Sequence, residues 1–240
     1  ALGIGRVVDS RSDELNQGDA VFGPMGAQTN VIWNASMLRK VEETDVPART
    51  YLGALGMTTG LTAYAGLLDI GQPKAGDTVV VSAATGAVGS VVGQIARISG
   101  CRVIGIAGAQ KKCRYAVDEL GYHACVSHLS SDLKTQLAEA CPDGVDVYFE
   151  NVGGNVFDAV FDRLNVGARM TVCGMIAHYN ETALSHEPDR LPRIMRAILT
   201  RRLKIQGIIV FDYSHREPDF LADVGRWIRN GELRYREDIV

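Results

Sequence analysis

The sequence has no long apolar run, no excess of basic residues and no closely spaced cysteines, and each absence excludes a class of protein. No stretch reaches the roughly 18 apolar residues that a membrane-spanning helix needs. Lys and Arg number 25 against 28 Asp and Glu, so the net charge is −3 and no basic field attracts nucleic acid. We therefore predict a cytoplasmic protein that binds neither membranes nor nucleic acid.

The cysteines favour neither a metal site nor a disulfide framework. They are odd in number and widely separated, without the CxxC pairs that ligate zinc in many proteins. We predict reduced thiols and no bound metal. The five cysteines are Cys101, Cys113, Cys125, Cys141 and Cys173.

From Thr78 onward the sequence alternates strand patterns with helix patterns. The strands, such as Val79-Val80-Val81, are continuously apolar, as expected when helices cover both faces of a sheet. This alternation predicts an α/β fold with a doubly wound parallel Rossmann sheet of about six strands. The predicted strands are 78–82, 102–106, 124–127, 145–149, 169–173 and 204–211, and the predicted helices are 86–99, 111–120, 129–140, 155–164, 191–199 and 218–228.

The first forty residues follow a different pattern. Short apolar runs at 5–9, 20–22 and 29–33 are mixed with Gly, Asn and Asp, which is typical of short strands and turns. Helical spacing begins only at 54–68. We predict a domain boundary near 41–52, with a small β domain at 1–48 and a nucleotide-binding domain at 49–240.

A glycine-rich turn joins the first strand of the predicted sheet to its helix. It reads Ala84-Thr85-Gly86-Ala87-Val88-Gly89, and the candidate phosphate ligands are Gly86, Ala87, Val88 and Gly89. Glycine lets the backbone approach a pyrophosphate closely, while the helix N-terminus offers free N–H groups to the anion. Alanine stands at the first glycine of the usual GxGxxG pattern, so an ordinary turn between a strand and a helix is the alternative.

The end of the second strand favours NADP(H) over NAD(H). NAD-binding proteins usually place an acidic residue there to bind the ribose hydroxyls. This chain has Gly108-Ala109-Gln110-Lys111-Lys112 instead, which leaves room and two ammonium groups for a 2′-phosphate. The alternative is that both lysines are solvated residues of a helix start. Lysine in a first turn opposes the helix dipole, however, which favours a bound anion.

Further segments, in order along essentially the whole chain, resemble one family. They are Leu55-Gly56-Met57, 60–64, 86–96, 150–154, Cys173-Gly174, Tyr179-Asn180, 207–212 and 235–238. These segments resemble the zinc-independent medium-chain dehydrogenases/reductases of the alkenal/one reductase family, which includes the leukotriene B4 dehydrogenases, prostaglandin reductases and curcumin reductases. The resemblance implies hydride transfer from NADPH to the β-carbon of a small-molecule α,β-unsaturated aldehyde or ketone.

The resemblance also implies which residues surround the cofactor and the substrate. Tyr179 is the candidate catalytic residue, since an enolate without a metal needs a hydrogen-bond donor. Lys112 is similar to the lysine that binds the 2′-phosphate, and His128 stands where many relatives have a tyrosine near that phosphate. Ile208 stands where relatives often have Phe. The remaining implied cofactor contacts are Asn151, Cys173, Gly174, Met175, Ile176, Ala177, His178, Tyr179, Ile208, Ile209 and Val210.

Relatives begin earlier and end later than these 240 residues. The resemblance therefore implies truncation at both ends, with an incomplete GroES-like β-barrel before the Rossmann domain. By this resemblance the absent parts would supply one wall of the cleft between the domains, so this chain alone would lack part of the substrate site. The resemblance further implies a homodimer that forms through the edge strand 204–211.

Three other functions compete with enone reduction. A zinc alcohol dehydrogenase of the same superfamily would need early Cys and His ligands and a four-cysteine lobe, which the sequence lacks. An NADPH quinone reductase would share the glycine-rich turn, although Asn151–Gly154 and Tyr179-Asn180 favour enones. A non-catalytic NADP-binding module is the alternative from another class.

Overall fold

Two sheets organise the computed structural model, which describes residues 1–41, 43, 46–181 and 189–237. Asp238, which belongs to one of the segments that carry the resemblance, lies outside the described residues. The strands are β1 (Gly3–Arg6), β2 (Ala20–Gly23), β3 (Arg39–Lys40), β4 (Thr78–Ser82), β5 (Arg102–Ala107), β6 (Ala124–Ser127), β7 (Val145–Glu150), β8 (Leu164–Val172) and β9 (Lys204–Gly207). The helices are α1 (Thr62–Ala65), α2 (Ala87–Ile98), α3 (Gln110–Asp118), α4 (Leu133–Ala140), α5 (Gly154–Phe161), α6 (Leu191–Arg201) and α7 (Glu217–Arg229).

Shorter helical turns complete the described secondary structure. Wider, π-type turns at Met57–Leu61 and Gly66–Gly71 flank α1 on both sides, so this part of the chain is helical over its whole length. Single 3₁₀ segments lie at Ala35–Met37, Ala48–Leu52, Ile176–His178 and Val210–Arg216. Among the described helices, none has the length and hydropathy needed to cross a bilayer.

The larger sheet has the strand order β6-β5-β4-β7-β8-β9, and every pairing in it is parallel. Val79 of β4 pairs with Val103 of β5 on one side and with Val147 of β7 on the other. The strand order reverses between β4 and β7, and in such sheets ligands bind at the carboxyl ends beside this reversal. The predicted doubly wound sheet of six strands is confirmed.

The core lies on both faces of this sheet, which explains the continuously apolar strands. Val79 and Val81 pack with α1, α2 and α7 on one face, while Val80 and Tyr148 pack with α4, α5 and α6 on the other. A strand that is buried on both sides cannot alternate apolar with polar residues. The site residues therefore project from a rigid, close-packed platform.

The N-terminal residues form a three-stranded antiparallel sheet in the order β1-β2-β3, which fits the predicted incomplete GroES-like barrel. Of the short apolar runs, the one at 29–33 forms no strand in the described part of the chain, and Ile32 is fully exposed. Asn34 then caps the 3₁₀ turn Ala35–Met37 through its side-chain oxygen. The domain boundary at residue 48 stays a prediction.

Two strand boundaries of the larger sheet and the start of one helix also differ from the predictions by at least four residues. β8 begins at Leu164 instead of Arg169, because Leu164 already pairs with Val145 and Gly167, with φ of 79°, permits the irregular register that follows. β9 ends at Gly207, since the chain enters helical turns at Val210–Arg216. α4 begins at Leu133, where the turn before it is closed by side-chain hydrogen bonds.

Candidate functional site

The turn after β4 has the shape that a dinucleotide phosphate requires. Ala83 adopts a left-handed φ of 49°, and a Cβ added to Gly89 would collide with the Ala83 carbonyl oxygen. The first residues of α2, including Gly86 and Ala87, are exposed, and no described side chain caps this helix end. Free amides at an exposed helix N-terminus form an anion site.

A buried tyrosine holds this turn in place from below. The Tyr122 hydroxyl donates a hydrogen bond of 2.7 Å to the Gly89 carbonyl oxygen, and burial raises the pKa of this phenol well above its usual value. A Cβ on Gly93 would overlap the Tyr122 ring, so the ring needs a glycine in the middle of α2. Tyr122 is not among the residues predicted from the sequence; glycine in the middle of an amphipathic helix was the available signal.

The carboxyl ends of β5 and β6 come together as the predicted 2′-phosphate site requires. The buried Ser127 hydroxyl donates to the Gly108 carbonyl oxygen, and the His128 amide donates to the Ala107 carbonyl oxygen at 2.9 Å. A Cβ on Gly108 would lie 3.6 Å from His128 Nε2, so the imidazole faces the open glycine. Lys112 is exposed in the first turn of α3, which contains no acidic residue.

The strand-order reversal is bridged by a hydrogen-bond network between the ends of β4 and β7. Asn151 donates through its main-chain nitrogen to Ser82 Oγ at 2.7 Å and through Nδ2 to the Ser82 carbonyl oxygen at 2.8 Å. Ser82 Oγ in turn donates to Glu150 Oε1 at 3.0 Å. The network ties the ends of β4 and β7 together at the strand-order reversal.

Glu150 is the centre of that network, and the sequence analysis did not single it out. The residue is only 1 % exposed. Its carboxylate accepts hydrogen bonds from Tyr148 Oη, from the Val152 amide and, at 2.9 Å, from the Gly153 amide. Burial, followed by the charge of Glu150, raises the pKa of Tyr148 well above its usual value. A carboxylate at the end of an otherwise apolar strand was the available signal.

The segment after β8 folds against the segment after β7. The Cys173 amide donates to the Glu150 carbonyl oxygen at 2.8 Å, and the Ile176 amide donates to the Asn151 carbonyl oxygen at 3.2 Å. Two of the predicted cofactor segments are thereby brought together. The Cys173 thiol is half-buried, and burial, assisted by the charge of Glu150, raises its pKa to about 11.

Tyr179 lies at the end of this segment, and the residue is 66 % exposed. Its hydroxyl oxygen accepts a hydrogen bond of 3.3 Å from the Met175 amide and lies 2.9 Å from where a Cβ of Gly174 would be. Glycine at 174 therefore makes room for the phenol. The main chain thus holds the oxygen, and this contact does not use the hydroxyl hydrogen.

Two further predicted contacts have distinct surroundings. His178 packs against Gly153, whose φ of 83° and absent side chain admit the imidazole, and His178 Nδ1 lies 2.9 Å from Glu181 Oε1. Ile208 is 7 % exposed and packs with Ala65 and Ile70, so its side chain belongs to the core. Any contact of that residue with a ligand falls to its main chain.

The arrangement fits NADP(H) along the carboxyl edge of the sheet. The glycine at 108, His128 and Lys112 lie at one end, the turn that contains Gly89 lies in the middle, and the Asn151 and Tyr179 segments lie at the other end. Among the described residues, no group of three or more His, Cys, Asp and Glu side chains has the geometry to hold a metal ion.

Comparison with known proteins finds one family. A family model described as zinc-binding dehydrogenase matches residues 87–225. The NADPH-dependent curcumin reductase of Escherichia coli (strain K12) is 48 % identical over 237 residues, which are 98 % of this chain and 68 % of that protein. The 2-alkenal reductase (NADP(+)-dependent) of Nicotiana tabacum is 39 % identical over 241 residues, which are 99 % of this chain and 68 % of that protein.

A solved structure agrees with these relatives. The crystal structure of CurA in complex with NADPH from Vibrio vulnificus has a TM-score of 0.93 and 47 % identity, and it covers 100 % of this chain and 72 % of that one. The Escherichia coli quinone oxidoreductase complexed with NADPH has a TM-score of 0.72 at 20 % identity, which shows a shared fold alone.

Proposed function

We propose that this chain, which belongs to the zinc-independent medium-chain reductases of the alkenal/one reductase family, reduces the carbon–carbon double bond of α,β-unsaturated aldehydes and ketones. At the coarser level the protein is an NADPH-dependent oxidoreductase, and NADP(H) is its cofactor. Bound NADPH supplies the hydride that such a reduction needs. The residues of the chain bind, orient and donate hydrogen bonds.

The cofactor-binding roles follow the order of the strand ends. The amides of the turn at Gly86–Gly89 would hold the pyrophosphate, and Lys112 with His128 would hold the 2′-phosphate beside the open Gly108. Asn151 and the 173–179 segment would lie at the nicotinamide end. These roles are supported by the placement of the residues at neighbouring strand ends.

The observation that carries the proposal is the state of the Tyr179 hydroxyl. The Met175 amide donates to the phenol oxygen, so this contact does not use the phenol hydrogen. That hydrogen can therefore be donated to the substrate oxygen. Conjugate addition of hydride to an enone develops negative charge on that oxygen, which a preorganised hydrogen-bond donor stabilises. The residue is also largely exposed, which supports access of a substrate to it.

The test follows NADPH oxidation with 4-hydroxynonenal, with a simple quinone and with the saturated aldehyde as a blank, and identifies the product by mass spectrometry. We expect a saturated product from the enal and no turnover of the blank. Turnover of the quinone without turnover of enones would replace the proposal by quinone reduction. Cofactor binding without any turnover would favour a binding module.

Substitution of Tyr179 by Phe is the matched variant for this assay. Removal of the donor should lower turnover by roughly 10-fold, less than a fully enclosed donor would contribute because water reaches the exposed ring, while the affinity for NADPH stays nearly constant. Tyr213→Phe is the control. The hydroxyl that it removes accepts a hydrogen bond from Gln206 Nε2 at 3.2 Å. An unchanged turnover number in the Tyr179 variant would remove this residue from the mechanism.

A homodimer through β9 is the assembly we propose. β9 is the edge strand of the larger sheet, and α6, which precedes it, exposes Leu191, Met195 and Leu199 at four-residue spacing. An unpaired strand edge beside an apolar helix stripe is a surface that a second copy can cover. A cytoplasmic location stays a prediction.

A further inference from the structure

Glu150 brings a negative charge into the interior at the carboxyl end of β7. All four hydrogen bonds of its two oxygens are accepted ones, from Ser82 Oγ at 3.0 Å, the Gly153 amide at 2.9 Å, Tyr148 Oη and the Val152 amide. An ionised carboxylate only accepts, whereas a protonated one would have to donate. The two main-chain amides can only donate and both hydroxyls can donate, so an ionised carboxylate satisfies all four contacts.

No cation balances this carboxylate in the described part of the chain. None of the ion pairs there includes Glu150. Neutral donors offset the loss of hydration but leave the net charge in place. The site thus carries a buried unit of negative charge that the fold of these residues does not cancel.

Glu150 lies on the side of the strand-order reversal where the nicotinamide end of the cofactor is expected. The 2′-phosphate end lies at β5 and β6 and the pyrophosphate turn follows β4, so the nicotinamide end falls beyond the reversal, at β7 and β8. Glu150 ends β7, and its main-chain oxygen binds the Cys173 amide at the end of β8. The charge is felt there, since it contributes, after burial, to the raised pKa of Cys173.

We propose that Glu150 is an electrostatic and positioning residue that would selectively stabilise the oxidised, positively charged nicotinamide, while its hydrogen bonds hold the Asn151–Gly153 segment in place. NADP⁺ carries one more positive charge on the ring than NADPH does, so a nearby buried anion favours the oxidised form. Stabilisation of the charge that develops as hydride leaves makes the site a better hydride donor. This role does not depend on which substrate accepts the hydride.

The experiment compares the affinities of the two redox forms in the absence of substrate. Glu150→Gln keeps the shape and removes the charge, and dissociation constants for NADP⁺ and NADPH are measured by calorimetry on the folded variant. We expect the ratio of Kd for NADP⁺ to Kd for NADPH to rise by roughly 5-fold or more. A purely structural role would weaken both forms equally and leave that ratio unchanged.

Tyr148→Phe is the matched control, because it removes one donor from the same carboxylate and keeps the charge. It should change the ratio by less than about 2-fold, even if both affinities fall. Should Glu150→Gln fail to fold, the Tyr148→Phe/Glu150→Gln double variant removes the hydroxyl that the amide would face and is measured in the same way.

The proposal is overturned if Glu150→Gln folds and its ratio of Kd for NADP⁺ to Kd for NADPH equals that of the wild type. The proposal is also overturned if Tyr148→Phe raises the ratio of the two dissociation constants as much as Glu150→Gln does. The effect would then come from the loss of hydrogen bonds around Glu150 and not from the loss of its charge. Because no enone is present, either result is independent of the assay for double-bond reduction.

Discussion

At the scale of single residues, the discrimination between NADPH and NADH depends on charge at the end of β5. Lys112 presents an exposed ammonium in the first turn of α3, where no acidic side chain competes for it. Substitution of Lys112 by Glu should raise the KM for NADPH by roughly 10-fold or more, because a favourable charge contact with the 2′-phosphate becomes repulsive. The KM for NADH should change little, and steady-state kinetics with both cofactors measures the difference.

The control for this substitution makes the same charge change at the amino ends of the strands. Lys74 is exposed in the segment before β4, away from the carboxyl ends. Lys74→Glu should leave the preference for NADPH intact. Equal losses with NADPH and NADH in Lys112→Glu would contradict the assignment of the 2′-phosphate to this residue.

At the scale of secondary-structure elements, the packing of α2 against Tyr122, in the segment between α3 and β6, depends on glycine at 93. Substitution of Gly93 by Ala should destabilise the protein by about 2 kcal/mol, because the new methyl group overlaps the Tyr122 ring, which is buried and cannot swing into solvent. Displacement of Tyr122 should also weaken NADPH binding, since the phenol supports the Gly89 carbonyl. Urea unfolding and cofactor titration measure the two effects.

Gly225 provides the matched substitution in another helix. A Cβ there would meet only Arg229 Nη1, at 3.4 Å, which is the far end of a flexible side chain in α7. Gly225→Ala should be neutral or stabilising by up to about 1 kcal/mol, because alanine has the higher helix propensity. A similar stability change in both variants would show that Tyr122 does not restrict position 93.

The elements also show which parts of the site a sequence can reveal. Strand β4, the turn at Gly86–Gly89 and α2 are contiguous, so local patterns predict them. Glu150 and Ser82 are 68 residues apart, and Tyr122 and Gly89 are 33 apart, so their contacts exist only after the sheet has formed. Sequence patterns predict the elements that carry such residues but not which side chains meet.

The end of β9 illustrates the same limit for boundaries. The apolar run from Lys204 to Phe211 has the pattern of a single strand, yet only Lys204–Gly207 pairs with β8. Beyond it, Ile208 turns into the core and the next residues form helical turns, a choice made by the packing against α1. The spacing of apolar residues in a sequence does not predict which neighbouring element those residues will contact.

At the scale of the whole molecule, the exposed edge of the larger sheet should pair with a second copy. Light scattering should give twice the mass of one chain at micromolar concentration. Leu199 is 77 % exposed on the apolar stripe of α6 beside that edge, so Leu199→Glu should shift the protein toward monomer without loss of fold, because it places a charge in the interface. Val8→Glu, at a position 73 % exposed in the bend after β1, should leave the dimer intact. A wild-type protein that scatters as a monomer, or a Leu199 variant that dimerises as strongly as wild type, would place the interface elsewhere.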